Sequence, residues 1–304
     1  MTEPEFDALI PDPLQRWRRW PISRDQAMLL LAAVGQLALG GETYLAHSLS
    51  GTIVSTEWIP IIFGATAGLS LLIAGVIAIR HRPFATIMAS LTLFASIVVG
   101  FMGAYYHFRR ASLPGAVVGE RISIDLLIWA PPVLGPMVFC LIGLMGISAA
   151  WREDQPDSGV LLLGGGHRLR LPYSKTRAYL LMVGMGILAA LVSSVLDHAR
   201  TGFDTGWVWL PTAVAVFAMV SSVALGLHPR PTKADMLTFI VAMLVLTAVG
   251  PVGSWLHVEQ NLVAQNTIVV ERFLRGPPFL APLLYSNMGL LGLAVLIAPE
   301  NRRR

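Results

Sequence analysis

A chain of 304 residues that is 55% hydrophobic and only 13% charged is too apolar for a water-soluble domain. Its net charge of +4 lies between apolar runs and not in one basic patch, so the first partner is the lipid bilayer and nucleic acid is excluded. The single cysteine, Cys140, excludes internal disulfides, thiolate metal clusters and dithiol redox chemistry.

Residues 1–25 form a polar N-terminal segment. Its "PLQRWRRWPISR" has two readings: Trp17 and Trp20 at headgroup level with arginines on anionic lipid, or a loosely ordered basic tail. No small-x-small cleavage site follows, so the first apolar run reads as a retained helix and not a signal peptide. Eight apolar runs succeed one another at 26–47, 58–79, 84–106, 126–150, 178–197, 207–227, 236–256 and 278–298. Each approaches the roughly 20 residues that cross a hydrocarbon core of about 30 Å, and none alternates as a β-barrel strand does. The expected fold is an all-α integral membrane protein with eight transmembrane helices.

Most lysines and arginines fall on the side of the N-terminal segment, the 80–83 loop, the linker at 151–177 and the basic tail at 299–304. Only Arg109, Arg110, Arg121, Arg200, Arg272 and Arg275 fall on the other side. The positive-inside bias then makes both termini cytoplasmic, in a bacterial plasma (inner) membrane. Within the linker, "VLLLGGGHRLRL" predicts a small hairpin. Gly164–Gly166 lacks the strand–glycine–helix context and the Gly-Lys-Ser/Thr of a phosphate loop.

The chain also repeats itself. "ETYLAHSLSGTIVSTEWIP" and "SSVLDHARTGFDTGWVWLP" align without a gap at a shift of 151, placing His47 on His198, Gly51 on Gly202, Trp58 on Trp209 and Pro60 on Pro211. Further on, Gly103 and His107 match Gly253 and His257, and Glu120 matches Glu271. The prolines of "APPVLGP" match those of "GPPFLAP". Residues 26–150 and 178–298 are therefore expected to be two four-helix repeats. Because four is even, they are parallel, about an axis along the membrane normal, and packed through small residues.

Candidate chemistry gathers at the end of each repeat away from the linker: His47, His107, Glu42 and Glu120 in the first, His198, His257, Asp197 and Glu271 in the second. Two imidazoles and a carboxylate are a first shell for Cu, Zn or Fe, and two imidazoles alone can grip a b-type haem from both faces. Against this stands the reading that these groups are solvated caps, since a helix C-terminus favours His⁺. Glu42 lies more than a turn inside the first run, where an ionised carboxylate is costly unless paired. Asp197 lies one turn further along the same face of the matching helix, and both read as ligands or as support for the histidines. No Gly-x-Ser-x-Gly elbow and no His-Glu-x-x-His helix is present.

The "DH…G-x-D-x-x-W" corner at 197–207 and "GPP-x-x-APLL" at 276–284 resemble uncharacterised bacterial multi-pass membrane proteins built from histidine-bearing helices. That resemblance implies the membrane fold and no activity. Residues 194–211 are also similar to the copper-binding stretch in the C subunit of particulate methane and ammonia monooxygenases. Where that family has Asp, His and His, this chain has Ser194, His198 and Pro211, so only His198 matches and the copper site is not carried over.

Three functions remain open from the sequence. One is a cofactor-binding membrane protein with a redox or metal-handling role, serving other membrane subunits or an extracytoplasmic redox partner. Another is a parallel-repeat transporter, in which Pro251 breaks the seventh run. The third is a structural subunit without a cofactor.

Overall fold

The computed structural model describes residues 3–19, 21–48, 51–78, 80–163, 167–262 and 266–299; Trp20, Gly164–Gly166 and Arg302–Arg304 lie outside the described residues. The N-terminal segment folds as α1 (Glu3–Leu9) and a 3-10 helix (Asp12–Arg19). Ahead of that stretch, Phe6 and Ile10 are each 2% exposed and join the main core with Met28, Tyr179 and Leu293.

The first unit comprises α2 (Arg24–Ser48), α3 (Trp58–Ile77), α4 (Arg82–Ala111), α5 (Ile124–Trp129) and α6 (Met137–Ala150). The linker forms β1 (Arg152–Glu153), β2 (Val160–Leu162) and β3 (Arg168–Arg170), an antiparallel sheet in the order β1-β2-β3 that contains the expected hairpin. The second unit comprises α7 (Lys175–Ala199), α8 (Trp209–Leu227), α9 (Lys233–Asn261), α10 (Val270–Arg275) and α11 (Leu283–Ala294). Helices α2, α3, α4, α7, α8 and α9 are long and apolar enough to cross a membrane.

The fourth and eighth runs differ from expectation: the fourth is broken into a short helix, an irregular turn and a second helix, and the eighth opens on an irregular turn, with the short helix α10 lying before it. Proline is the reason. It has no N–H, and it biases the preceding residue away from helical geometry. Pro131, Pro132 and Pro136 interrupt one run, and Pro277, Pro278 and Pro282 the other, so α6 has 14 residues and α11 has 12. At about 1.5 Å per residue these helices are roughly 21 and 18 Å long. Pro251, by contrast, does not break α9. The Thr247 carbonyl, which loses its i+4 donor to that proline, accepts the Ser286 hydroxyl at 2.7 Å.

Each unit closes as a ring of four. Helix α2 packs on α3, α3 on α4, α4 on α6 and α6 on α2, and α7, α8, α9 and α11 have the same neighbour relations. The two rings meet reciprocally, with α11 against α2, α6 against α7, α10 touching α2 and α5 touching α7. Without a hydrophobic driving force between helices in lipid, close backbone approach does the holding. A Cβ on Gly143 would lie 2.7 Å from the Leu93 carbonyl, and one on Gly289 would lie 2.7 Å from the Met243 carbonyl.

At the linker end, α2 and α7 begin inside a buried ionic network. Lys175, fully buried, donates to Asp25 at 2.7 Å and to the Trp151 carbonyl at 2.8 Å. Arg24, 1% exposed, donates to the Thr176 hydroxyl at 2.5 Å and lies 3.6 Å from Glu153 and 3.5 Å from Asp157. The Tyr179 hydroxyl donates to Asp25 at 3.1 Å. Burial pushes the Glu153 carboxyl up, against the opposing pull of Arg24 and Lys175.

Candidate functional site

The opposite ends of α2 and α4 carry His47 and His107, and those of α7 and α9 carry His198 and His257. Each pair spans the diagonal of its ring. In the first unit the imidazole centroids are 6.0 Å apart with planes at 73°; in the second they are 6.3 Å apart at 72°. All four rings are half-buried.

The broken runs explain what holds two of these rings. In a continuous helix the Pro132 carbonyl would accept from residue 136 and the Pro278 carbonyl from residue 282, but both of those residues are prolines with no N–H. His107 Nδ1 takes the Pro132 carbonyl at 2.9 Å, and His257 Nδ1 takes the Pro278 carbonyl at 2.9 Å. His47 Nδ1 bonds the Thr43 carbonyl at 3.0 Å, and His198 Nδ1 meets the Ser194 hydroxyl at 3.3 Å. A carbonyl only accepts, so on His47, His107 and His257 Nδ1 carries the proton, and in the neutral ring the lone pair sits on Nε2.

No family model, curated protein or solved structure matches this chain.

An aromatic stack lies beside the second pair. Phe203 lies 6.2 Å from His198 and stacks on Trp209 at 4.5 Å, while Trp58, the residue matched to Trp209, packs 6.2 Å from Tyr44. The corner before each tryptophan turns on a glycine of positive φ, Gly51 (107°) and Gly202 (67°), a conformation that L side chains rarely adopt.

The carboxylates divide into three groups. Glu42 and Asp197 are half-buried and, although they belong to different units, within electrostatic reach of each other. Asp197 is also felt by His198 and His257 and lies 3.8 Å from Arg200. Glu57, which the sequence also places at this end of the first unit, acts on His107 beside Arg110, to which it pairs at 3.9 Å. Glu120 sits in an exposed turn, and Glu271 is exposed and paired with Arg275 at 3.1 Å; the structure brings neither to the imidazoles. Among the described residues no group of three or more His, Cys, Asp or Glu is placed to hold a metal ion.

Sequence reasoning missed the proline carbonyls, Ser194, and the Arg24–Lys175 network at the far end. A signal existed for the first, because in both "PPVLGP" and "PPFLAP" a proline stands four residues after another and so leaves a carbonyl without its helical donor.

Proposed function

We propose that each four-helix unit holds one redox-active iron, as a b-type haem, between its two imidazoles, and that the protein moves electrons at the extracytoplasmic face of the plasma membrane. The observation that carries this reading is the matched separation of the two histidine pairs. Two imidazoles on opposite sides of one metal, with bonds of about 2 Å, put their ring centres about 6 Å apart, and the pairs stand at 6.0 and 6.3 Å. A two-nitrogen donor set suits haem, which brings four equatorial nitrogens of its own, better than zinc, which takes four protein or water ligands. The Nδ1 hydrogen bonds support the same reading, since they orient a ligand ring and raise its basicity.

In this reading α5 with α6, and the 278–282 turn with α11, complete the fourth and eighth crossings, both termini are cytoplasmic, and the two units are parallel repeats. The charge bias of the loops and the matching neighbour relations of the two rings support this arrangement. The redox partner is an extracytoplasmic protein or another membrane subunit.

The test is a visible spectrum and metal analysis of protein purified in mild detergent. Wild type is expected to show a Soret band with two haems per chain, His107→Ala and His257→Ala half of that each, and the double variant none. Stoichiometric copper or zinc without a Soret band would put a bare ion in place of haem. Neither signal, with the double variant as stable as wild type, would leave the transport or structural reading.

A further inference from the structure

The prolines of the fourth run leave two carbonyls without a helical donor, and the two are refilled from different units. In a continuous helix the Ile128 carbonyl would accept from residue 132, a proline with no N–H, just as the Pro132 carbonyl loses its donor to Pro136. His107 on α4 takes the Pro132 carbonyl at 2.9 Å. The Ile128 carbonyl accepts instead from Arg200, which caps the end of α7 in the second unit and donates through Nε at 2.7 Å. The same guanidinium donates through Nη2 to the Ala130 carbonyl at 3.2 Å.

Ala130 ends α5 and leads straight into Pro131 and Pro132. One side chain of the second unit therefore grips the chain two and four residues ahead of the carbonyl on which His107 rests. On the other side, the Gly135 N–H reaches the Pro132 carbonyl at 3.2 Å and ties it to the turn that enters α6. The carbonyl is thus fixed from both directions, downstream by its own unit and upstream by Arg200. A planar guanidinium suits the task, because its donors form a rigid fork that sets the relative position of two acceptors. A cation placed only to favour the C-terminus of α7, or only to face Asp197 at 3.8 Å, would not need to cross to the other unit. Arg200 also stands two residues after His198, so the corner that carries one imidazole of the second pair is bonded to the turn that supports the first.

We propose that Arg200 is a positioning residue for the first centre, through which the second unit fixes the Pro132 carbonyl and so the orientation of His107. This rests on the bis-imidazole reading above. A carbonyl that accepts from Nδ1–H orients a ligand imidazole and raises its basicity. When Arg200 releases Ile128 and Ala130, the upstream side of the turn shifts, the carbonyl draws away from His107, and that ring becomes a poorer ligand to ferric iron.

The test is a spectroscopic redox titration with a haem-retention measurement on full-length protein in mild detergent with haem b bound. It compares wild type, Arg200→Ala, Arg200→Lys and Asp197→Asn, and His107→Ala identifies the component that belongs to the first unit. Arg200→Ala is expected to weaken haem retention in the first unit about tenfold, the low end of the range for an outer-shell change. It is also expected to raise that component's midpoint by about 59 mV for each tenfold loss of ferric preference. Loss of a nearby positive charge alone favours the ferric state and lowers the midpoint, so the sign separates positioning from electrostatics. Arg200→Lys keeps the charge without the fork, and is expected to shift the first component in the same direction by less. Asp197→Asn keeps the fork, and is expected to spare haem retention in the first unit. A second component still present at full occupancy shows that each variant is folded. If in Arg200→Ala the first component stays in place, falls in midpoint, or moves no further than the second, Arg200 has no such role while the bis-imidazole reading stands. A wild type that takes up no haem overturns that reading, and this inference with it.

Discussion

Lys175→Met is expected to cost the folded protein about 3–5 kcal/mol, the penalty for removing one partner of a buried ion pair. Lys175 is fully buried and holds both Asp25, at 2.7 Å, and the carbonyl that ends the first unit, at Trp151. Without the ammonium, the Asp25 carboxylate keeps, among the described residues, the Tyr179 hydroxyl at 3.1 Å and the Arg24 guanidinium at 3.7 Å. Adding Asp25→Leu removes the stranded charge and is expected to recover much of the loss, because a buried pair is worth little more than apolar side chains of similar volume. Denaturation of both variants in detergent measures this. A loss below about 1 kcal/mol for Lys175→Met is the behaviour of a solvated surface pair and would contradict the burial of this lysine.

Gly64→Val is expected to separate α2 from α3. A Cβ at Gly64 would stand 2.6 Å from the Gly40 Cα, 2.7 Å from the Gly40 nitrogen and 3.0 Å from the Gln36 carbonyl oxygen. All three are main-chain atoms, so no side-chain rotation relieves the clash and one helix must move. The expected cost lies at the top of the roughly 1–3 kcal/mol range for overpacking. A Cβ at Gly75, on the same helix, would meet nothing within 4 Å. Gly75→Ala is therefore expected to be neutral or to stabilise by up to about 1 kcal/mol through helix propensity. Thermal unfolding of the two variants side by side separates close packing from a general sensitivity of α3 to substitution.

The six long spans were legible because lipid demands long apolar runs and this chain writes them without interruption. The two broken runs were not, because a hydropathy window passes over proline's missing N–H. Pro136 and Pro282 change hydrogen bonding without much changing polarity. The same blind spot concealed the supports of the site. The repeat located His47, His107, His198 and His257, but nothing in a list of side chains shows that Pro132 and Pro278 offer carbonyls to two of them. The sequence already sets Glu120 and Glu271 apart from Glu42 and Asp197, because each lies in a loop stretch whose amphipathic pattern faces water; the fold leaves the first two exposed and the other two half-buried. Arg24 and Lys175 were read as ordinary flanking cations, although the repeat aligns them. A cation recurring at the first residue of matching helices was the available sign that both are held in place.

The network at the start of those helices has a further consequence, because its bonds cross over. Arg24, on the first unit, reaches Thr176 on the second, and Lys175, on the second, reaches Asp25 on the first. Each half of the chain therefore supplies what the other lacks, as two subunits of a symmetric dimer do. The segment between Trp151 and Ser174 takes part as well, since its Asp157 accepts from Thr176 and stands 3.5 Å from Arg24, so the mutual recognition of the halves is written into the first turn of each and into the stretch that joins them.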